Sequence, residues 1–449
     1  MDFNECNKTN NLSTSNVDKS GDLSSSNSIN FNFDEVNNRD NCFTRKWCGR
    51  SAIFGTSDVL PMWVADMDFK SPKCITDAII ERANHEIFGY TARPDTYDNA
   101  IINWLKNRHN LNITKDSIIY SPGVVTSLSI IVSSLSNVGD KIMILQPVYP
   151  PFAGVVTDNN RELVVSQLIS NLDTKNSHQN TEYTSSNDEN LVLEDNSNLN
   201  QAHPYSIDFD DIESKIKDVK LLILCNPHNP VGRVWTREEL QRLGDICIKN
   251  DVTVISDEIH NDIIMSGNKH TSFASISEDF ANISVTCMSP TKTFNLAGLQ
   301  VSYIICKDIE KREKIQNEFS RLHLSDNNAF SLVALEASYN FGESWLDNMT
   351  QYIEKNFDFA LDFINKNIPQ IKTYKPESTY LMWLDFSDVS TCDDKISKAL
   401  IEIGKIGLNS GANYGLGGEC FYRLNIACPK ETLVDGLNRI KKAVDYLIS

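Results

Sequence analysis

The feature that most constrains the fold is a lysine that follows an apolar segment, within the stretch Cys287–Leu299. The run Ile283–Met288 predicts a buried strand, and Lys292 follows it, three residues beyond Ser289. A strand end gives a lysine rigid support and burial, which keep part of its amine neutral and able to form a Schiff base with a phosphorylated carbonyl cofactor. Ser289 can then donate its hydroxyl to the phosphate. The alternative is that Lys292 is a solvated surface charge.

A second polar group follows another predicted strand upstream. The segment Asp251–Ile259 is rich in β-branched residues and carries Asp257 near its end. The carboxyl ends of parallel strands border the crevice in which open α/β sheets bind ligands. A carboxylate there can hold the pyridine nitrogen of pyridoxal phosphate (PLP) protonated, which makes the ring an electron sink. Asp257 can equally be the N-cap of a helix, since aspartate is a favoured capping residue.

Seven short motifs, in this order along the chain, carry a resemblance to a known family. They are LPMWVADMDF (60–69), PGVV (122–125), PVYPPF (147–152), NPHNPVGRVWTREEL (226–240), SDEIHND (256–262), SPTKTFNLAGLQ (289–300) and YRLNIACP (422–429). With them the chain resembles the MalY/PatB group of PLP-dependent carbon–sulfur β-lyases, in the fold-type I aminotransferase superfamily. The resemblance covers residues 31–167 and 204–449.

The resemblance implies an α/β fold of fold type I. A large domain has a mostly parallel seven-stranded sheet with helices on both faces, and a smaller domain is α+β. We predict that residues 86–330 form the large PLP-binding domain and residues 331–449 the small domain, which the segment 31–85 joins. Residues 1–30, rich in Asn and Ser, are predicted to be a disordered tail. Residues 168–203 form an acidic low-complexity stretch, which predicts a flexible surface insertion.

Composition limits the classes of partner that the protein can bind and indicates its cellular compartment. The net charge of -18 argues against nucleic acid and anionic membranes, whose phosphates it would repel. The sequence has no apolar run near the roughly 20 residues of a membrane span, and its first residues lack the apolar core of a secretion signal, so it predicts a cytoplasmic protein. The 11 cysteines contain no C-x-x-C pair, which indicates reduced thiols rather than disulfides or a metal site. Cys420 is interpreted as structural rather than redox-active.

Two local patterns predict contacts with the cofactor. The segment Ile118–Val132 is typical of a strand, a Pro-Gly turn and a helix, and such a turn points the backbone N–H groups of Gly123, Val124 and Val125 at an anion. Strand-turn-helix units are nevertheless common without a ligand. Tyr149 lies just past the next predicted strand, where it can stack on the pyridine ring or pack in the core.

Three further residues take roles from the resemblance. Arg423 lies on a predicted buried strand, and a buried guanidinium needs a partner, either a structural carboxylate or a substrate carboxylate. The resemblance implies the substrate carboxylate. It also implies that the side-chain amide of Asn229 binds the 3′-oxygen of the cofactor and the substrate carboxylate. His260 is expected to lie near that oxygen without acting as a general base.

The resemblance also implies that the site is shared between two copies of the chain. In a homodimer of this kind Tyr90 reaches the cofactor phosphate of the neighbouring copy and takes part in catalysis there, although a tyrosine after a glycine is otherwise a turn residue. Trp63 and Ala65 are expected to line the substrate entrance, or else to belong to a core strand. Gln300 stands where many aminotransferases have a phosphate-binding arginine, so backbone and hydroxyl groups are expected to anchor the cofactor.

Together these residues imply a reaction. An amino acid held by Arg423 and Asn229 displaces Lys292 from the cofactor, Lys292 removes the α-proton, and a thiolate leaves. Cystathionine is the expected substrate, with cysteine and other S-substituted cysteines as further candidates, and the products are a thiol, pyruvate and ammonia. Two alternatives stay open: an aminotransferase of the same superfamily, and a non-catalytic PLP-binding regulator. The presence of Lys292, Asp257 and Arg423 together disfavours the regulator.

Overall fold

Alternating strands and helices make up the computed structural model of the protein, which describes residues 31–39, 42–172 and 203–449. The predicted disordered tail (residues 1–30) and most of the predicted insertion (residues 168–203) lie outside these described residues. The boundaries predicted between the large and small domains remain predictions.

A seven-stranded sheet forms the centre of the fold. Its strands in chain order are β1 (Ile118–Ser121), β2 (Lys141–Gln146), β3 (Glu162–Gln167), β4 (Val219–Cys225), β5 (Thr253–Asp257), β6 (Ser284–Met288) and β7 (Ser302–Ile305). In space the order is β1-β7-β6-β5-β4-β2-β3. Only β7 runs antiparallel to its neighbours, β1 and β6, and the other pairings are parallel. The predicted mostly parallel seven-stranded sheet is therefore confirmed.

Both faces of this sheet are buried, because its strands are apolar at successive positions. In β4, Leu221 and Ile223 belong to one hydrophobic cluster while Leu222 and Leu224 belong to another. Successive side chains of a strand point to opposite faces, so an uninterrupted apolar run needs a cover on each side. Helices supply both covers, which is the layer arrangement predicted from the sequence.

Fifteen α-helices occur in the described part of the chain. They are Arg45–Cys48, Arg50–Phe54, Lys73–Asn84, Asp95–His109, Val124–Leu135, Pro151–Thr157, Phe209–Lys215, Arg237–Lys249, Glu278–Ile283, Pro290–Thr293, Ile309–Arg321, Ala329–Phe341, Glu343–Asn367, Asp393–Lys398 and Lys430–Ile448. Within the described ranges, none of the helices has the length and apolar character needed to cross a bilayer.

A second, smaller sheet lies near the C-terminus. It consists of β8 (Leu381–Asp385), β9 (Asn409–Ser410) and β10 (Phe421–Asn425), with β10 in the middle and antiparallel to both neighbours. Near it, Leu60–Pro61 pairs in parallel with Ile406–Gly407. This short ladder attaches the segment that carries Trp63 and Ala65 to the C-terminal part of the chain.

The predicted start of the insertion at residue 168 is wrong. Leu168 is only 4% exposed and belongs to a hydrophobic cluster, and Ile169–Ser170 pairs antiparallel with Tyr205–Ser206. The sequence of residues 168–203 does not predict this short ladder, because the apolar residues of that stretch are few and isolated. The ladder brings residues 169–170 and residues 205–206 side by side.

Candidate active site

Lys292 occupies a four-residue helix, Pro290–Thr293, directly after β6. Ser289 caps this helix by accepting a hydrogen bond from the N–H of Thr291 (3.1 Å), and it donates its own hydroxyl to the Val301 carbonyl (2.6 Å). The lysine amine donates to the Ala65 carbonyl at 2.6 Å. Burial, and next the charge of Arg423, lower the pKa of Lys292 to about 8. The amine is therefore partly neutral near physiological pH, as a nucleophile or base requires.

Asp257 ends β5, beside β6, and its side chain is 4% exposed. One carboxylate oxygen accepts the N–H of Ile259 at 3.1 Å. Burial raises the pKa of Asp257 to about 7, against the N–H of Ile259 and the charge of Lys292, which lower it. Among the residues that the structure describes, Asp257 has no ion-pair partner. A carboxyl group this buried is stable as an anion when a cation lies against it, which a protonated ring nitrogen supplies.

The turn after β1 places a helix N-terminus at the same edge of the sheet. The helix Val124–Leu135 begins right after Gly123, and the first N–H groups of a helix have no partner within it. A Cβ added to Gly123 would meet only the Thr126 hydroxyl at 4.0 Å, so the approach to these donors is open. The side chain of Val125 is exposed, and that of Val124 is buried. This turn is suited to an anion such as phosphate.

Tyr149 and His260 lie near the charged groups of the site. Burial raises the pKa of Tyr149, and the charges of Arg423 and Asp257 act on it in opposite directions. His260 is 2% exposed, and burial, followed by the charges of Lys292 and Arg423, lowers its pKa well below the usual range. A histidine kept neutral in this way can donate or accept a hydrogen bond, but it is a poor base.

Arg423 lies on β10 and is 2% exposed. Its guanidinium donates to the side-chain oxygen of Asn229 and to the carbonyl of Trp63, both at 2.9 Å. Its Nε is buried and has no hydrogen-bond partner within the described residues, and no carboxylate there forms an ion pair with Arg423. The structural carboxylate that the sequence left open as a partner is thus not found in those ranges. The cation is available to an anion from outside the chain.

The segment from Trp63 to Met67, which bends at Val64 and Ala65, crosses the site and is held by side-chain amides. Asn425 donates to the carbonyls of Val64 and Asp66, both at 2.6 Å, and Asn409 donates to the Trp63 carbonyl at 2.8 Å. We refer to residues 63–67 as the strap. Because backbone groups of the strap are bound on several sides, its carbonyls have fixed directions.

Two further residues named from the sequence, Tyr90 and Cys420, differ in their exposure. Tyr90 is completely exposed in the single chain. Cys420, in contrast, is buried, and burial raises the pKa of its thiol. A raised thiol pKa makes the reactive thiolate scarce, which supports the structural interpretation of Cys420.

Comparison with known proteins places this geometry in a family. The family model "Aminotransferase class I and II" matches residues 57–192 and 195–440. Cystathionine beta-lyase PatB of Bacillus subtilis is 44% identical, over 92% of this chain and 100% of that protein. This chain belongs to the aminotransferase class I and II family. The resemblance to the MalY/PatB group is confirmed by the match to PatB.

Solved structures of the aminotransferase class I and II fold agree with the architecture. The PLP-bound C-S lyase from Staphylococcus hominis superposes with a TM-score of 0.82 at 34% identity, covering 93% of this chain and 99% of that one. Cystalysin from Treponema denticola, which contains a pyridoxal 5'-phosphate cofactor, superposes with a TM-score of 0.84 at 32% identity, covering 93% and 100%. The predicted fold type I is therefore confirmed.

The donor set of this family member fits PLP at three separate points. Asp257 is a buried carboxyl with no ion-pair partner in the described ranges, the helix that begins at Val124 has no side-chain cap on its first N–H groups, and Lys292 provides a partly neutral amine. These groups match the protonated ring nitrogen, the phosphate and the aldehyde of PLP. Each of them would be an unexplained feature of a protein without that ligand.

Sequence reasoning missed the residues that shape the strap. Tyr380, 1% exposed, donates its hydroxyl to the Ala65 carbonyl at 3.0 Å, and Asn409 and Asn425 hold the strap from β9 and β10. Neither a tyrosine directly before a strand nor an asparagine within a short one carries a local signal for such a contact. A partial signal was the presence of buried-strand asparagines, because a buried amide needs partners.

Proposed function

We propose that the protein is a PLP-dependent carbon–sulfur lyase that cleaves S-substituted cysteines, with cystathionine as the preferred substrate. Two things support this proposal: its similarity to PatB, whose name is cystathionine beta-lyase, and the buried Arg423 guanidinium without a carboxylate partner in the described residues. The similarity to PatB carries the proposal of carbon–sulfur cleavage, and the unpaired guanidinium supports a substrate with a carboxylate at this position.

The α-carboxylate of an amino acid is the anion that would pair with the buried guanidinium of Arg423. A buried charge without a counterion is costly, and a planar carboxylate pairs with a guanidinium through two parallel hydrogen bonds. Asn229 already orients the guanidinium by accepting from it, and the amide nitrogen of Asn229 remains for the cofactor or the substrate. Binding here would place the α-carbon on the Lys292 side of the site, since the strap carries contacts to both residues.

PLP, when bound, supplies an aldehyde that links to amines and a ring that withdraws electrons from the α-carbon. The residues of the chain direct this chemistry. Lys292 accepts the α-proton at its Nζ once the substrate has displaced it. Asp257 keeps a proton on the ring nitrogen through its negative charge. Tyr149, which lies near Arg423 and Asp257, would cover one face of the ring.

The sulfur at the β-carbon then leaves as a thiolate. A thiolate is a weaker base than an amine or alkoxide, so it departs without an acid of unusual strength. The remaining three-carbon enamine takes up water to give pyruvate and ammonia. An aminotransferase would instead return the proton to the cofactor and need a keto acid to complete its cycle.

We therefore expect the purified protein to release thiol, pyruvate and ammonia in equal amounts from cystathionine, without a keto acid. Free thiol and pyruvate can be measured in the same reaction. Serine, which has the carbon skeleton of cysteine but a hydroxyl as a poorer leaving group, is the control and should react far more slowly. Turnover that requires a keto acid and leaves the carbon–sulfur bond intact would establish the aminotransferase, and PLP binding without turnover of any amino acid would establish the regulator.

Homodimer formation is part of the proposal. Ile87, Phe88 and Tyr90 are 67%, 58% and 101% exposed, and three neighbouring large side chains of this kind are unusual on the surface of a monomer. A second copy that covers them would bring Tyr90 to the partner's phosphate site. The ten cysteines in the described ranges are all free, which suits a cytoplasmic enzyme.

Mixed dimers test whether Tyr90 acts across the interface. Tyr90→Phe and Lys292→Ala should each impair the homodimer, the second more severely. When the two variants are co-expressed and the mixed dimer is isolated by two different tags, one of its sites contains neither substitution. We expect that dimer to regain about half of the wild-type activity, because half of its sites are intact. A mixed dimer no more active than the Tyr90→Phe homodimer would place Tyr90 in the site of its own chain or outside both.

A further inference from the structure

One carbonyl of the strap accepts hydrogen bonds from two side chains. The Ala65 oxygen receives the Lys292 amine at 2.6 Å and the Tyr380 hydroxyl at 3.0 Å. We infer that Tyr380 is a positioning residue for Lys292: by sharing the Ala65 carbonyl, it holds the free amine in place and keeps it available as a base. This inference rests on the proposed function in one respect, that Lys292 is released from the cofactor when a substrate binds.

The carbonyl has a fixed direction that does not depend on Tyr380. Its neighbours in the strap, Val64 and Asp66, are both held by Asn425. On the far side, the side chain of Asn295 binds the N–H and the carbonyl of Met67, at 2.9 and 3.0 Å. Loss of the Tyr380 hydroxyl should therefore leave the strap in place. It should change only how strongly the Ala65 carbonyl accepts a hydrogen bond from Lys292.

Tyr380 is itself held firmly. The residue before it, Thr379, has a φ of 69°, a conformation that is strained for a β-branched residue. Two backbone hydrogen bonds maintain this conformation, from the N–H of Thr379 to Ile263 and from the N–H of Ile426 to the Tyr380 carbonyl, at 2.9 and 3.0 Å. Strain of this kind persists where the surrounding structure fixes a particular side-chain direction.

The shared acceptor acts on the protonation of Lys292. A carbonyl binds an ammonium more strongly than a neutral amine, so an acceptor at 2.6 Å favours the charged form. The Tyr380 hydroxyl donates a second hydrogen bond to the same carbonyl oxygen, which makes that oxygen a weaker acceptor for Lys292 and so favours the ammonium form less. The neutral amine keeps one hydrogen bond to the carbonyl, which fixes its rotation, and its lone pair stays free for a proton.

Other charged and titratable groups also face Lys292. Arg423 favours the neutral amine, whereas Asp66 and Asp257 favour the ammonium, and His260 is kept neutral beside them. These groups lie on the strap, on β10 and at the end of β5, and none of them changes when the Tyr380 hydroxyl is removed. A shift caused by Tyr380→Phe is thus separable from their contributions.

The first test uses the cofactor-free protein, so it needs neither PLP chemistry nor a substrate. Lys292 can be acetylated in trace amounts between pH 6 and pH 11 and quantified by mass spectrometry. We expect a midpoint near the pKa of about 8 in the wild type. In Tyr380→Phe we expect it higher by about half a unit to one unit, the size of one hydrogen bond.

The second test uses the PLP-loaded enzyme. Tyr380→Phe should lower kcat at neutral pH by about three- to tenfold, as the same shift implies, move the rising limb of the kcat profile to higher pH, and leave KM unchanged. Tyr374→Phe is the matched control: Tyr374 is also buried and donates to a backbone carbonyl, that of Val231 at 2.8 Å, away from Lys292. Neither the labelling midpoint nor kcat should change in the control.

Two outcomes decide the inference. An unchanged labelling midpoint in a folded Tyr380→Phe protein would overturn it, whatever the substrate of the enzyme proves to be. Where that variant does not fold, difluorotyrosine at position 380 replaces it, because this side chain keeps the hydroxyl and is a stronger donor. It should shift the midpoint in the opposite direction, to lower pH, and no shift would again overturn the inference.

Discussion

Replacing Lys292 with alanine should abolish the covalent attachment of PLP and reduce cystathionine cleavage by about 10²–10⁴-fold from the loss of proton transfer alone. The reason is that the partly neutral Lys292 amine supplies both the covalent link and the base. Borohydride reduction of the loaded wild type, followed by peptide mapping, should find the cofactor on Lys292. The same treatment should give no stable adduct in the variant.

Lys441→Ala provides the control for this substitution. Lys441 is a surface residue that pairs with Asp445 on the C-terminal helix, and exposed pairs of this type contribute little to stability. Its removal should change neither PLP attachment nor turnover. A reducible adduct mapped to another lysine of the wild type would contradict the assignment of Lys292.

Replacing Asp257 with asparagine should give the second large effect, a fall in kcat of about 10²–10³-fold, comparable to the removal of one strong electrostatic contact from an active site. The amide keeps the shape and the hydrogen bond to Ile259 but carries no charge, so it cannot keep the ring nitrogen protonated. PLP should still attach to Lys292, and its absorption spectrum should change with pH differently from that of the wild type.

Glu258→Gln is the matched control, because it neutralises the adjacent buried acid. The Glu258 carboxylate accepts from Ser256, Ser272 and the N–H of Phe273, and it contacts no residue of the site. Burial raises its pKa to about 7, as it does for Asp257, so the two substitutions neutralise buried acids of similar strength that differ in position. Full activity in Asp257→Asn would mean that the carboxylate only caps the following turn.

The residues that end strands could be predicted from the sequence because their signal is local. An apolar run of five or six residues followed by a polar group identifies Asp257 and Lys292, and a glycine before a helix identifies the turn at Gly123. Parallel strands then bring these groups to one edge of a sheet. The predicted strands differ from the observed ones by only one or two residues at most ends.

Contacts between distant parts of the chain could not be predicted in this way. The pairing of Tyr380 with the Ala65 carbonyl spans 315 residues, and its donor looks like any core tyrosine of a strand. Leu168 was assigned to a loop because its neighbours are polar, whereas its burial depends on a ladder formed with residues 205–206. Roles for Arg423 and Tyr90 came from the resemblance, since neither residue has a distinctive local pattern.

The strap also limits when the enzyme can become active during its synthesis. Its residues near position 63 are held by Asn409, Arg423 and Asn425, which the ribosome adds about 350 residues later, near the end of the chain. The central sheet can form earlier, as soon as β7 is complete, but at that point the strap lacks these three partners and is held at Met67 by Asn295. A chain that stops before β10 would therefore contain Lys292 and Asp257 in a folded sheet, but the Ala65 carbonyl that receives the amine would not yet have its fixed direction.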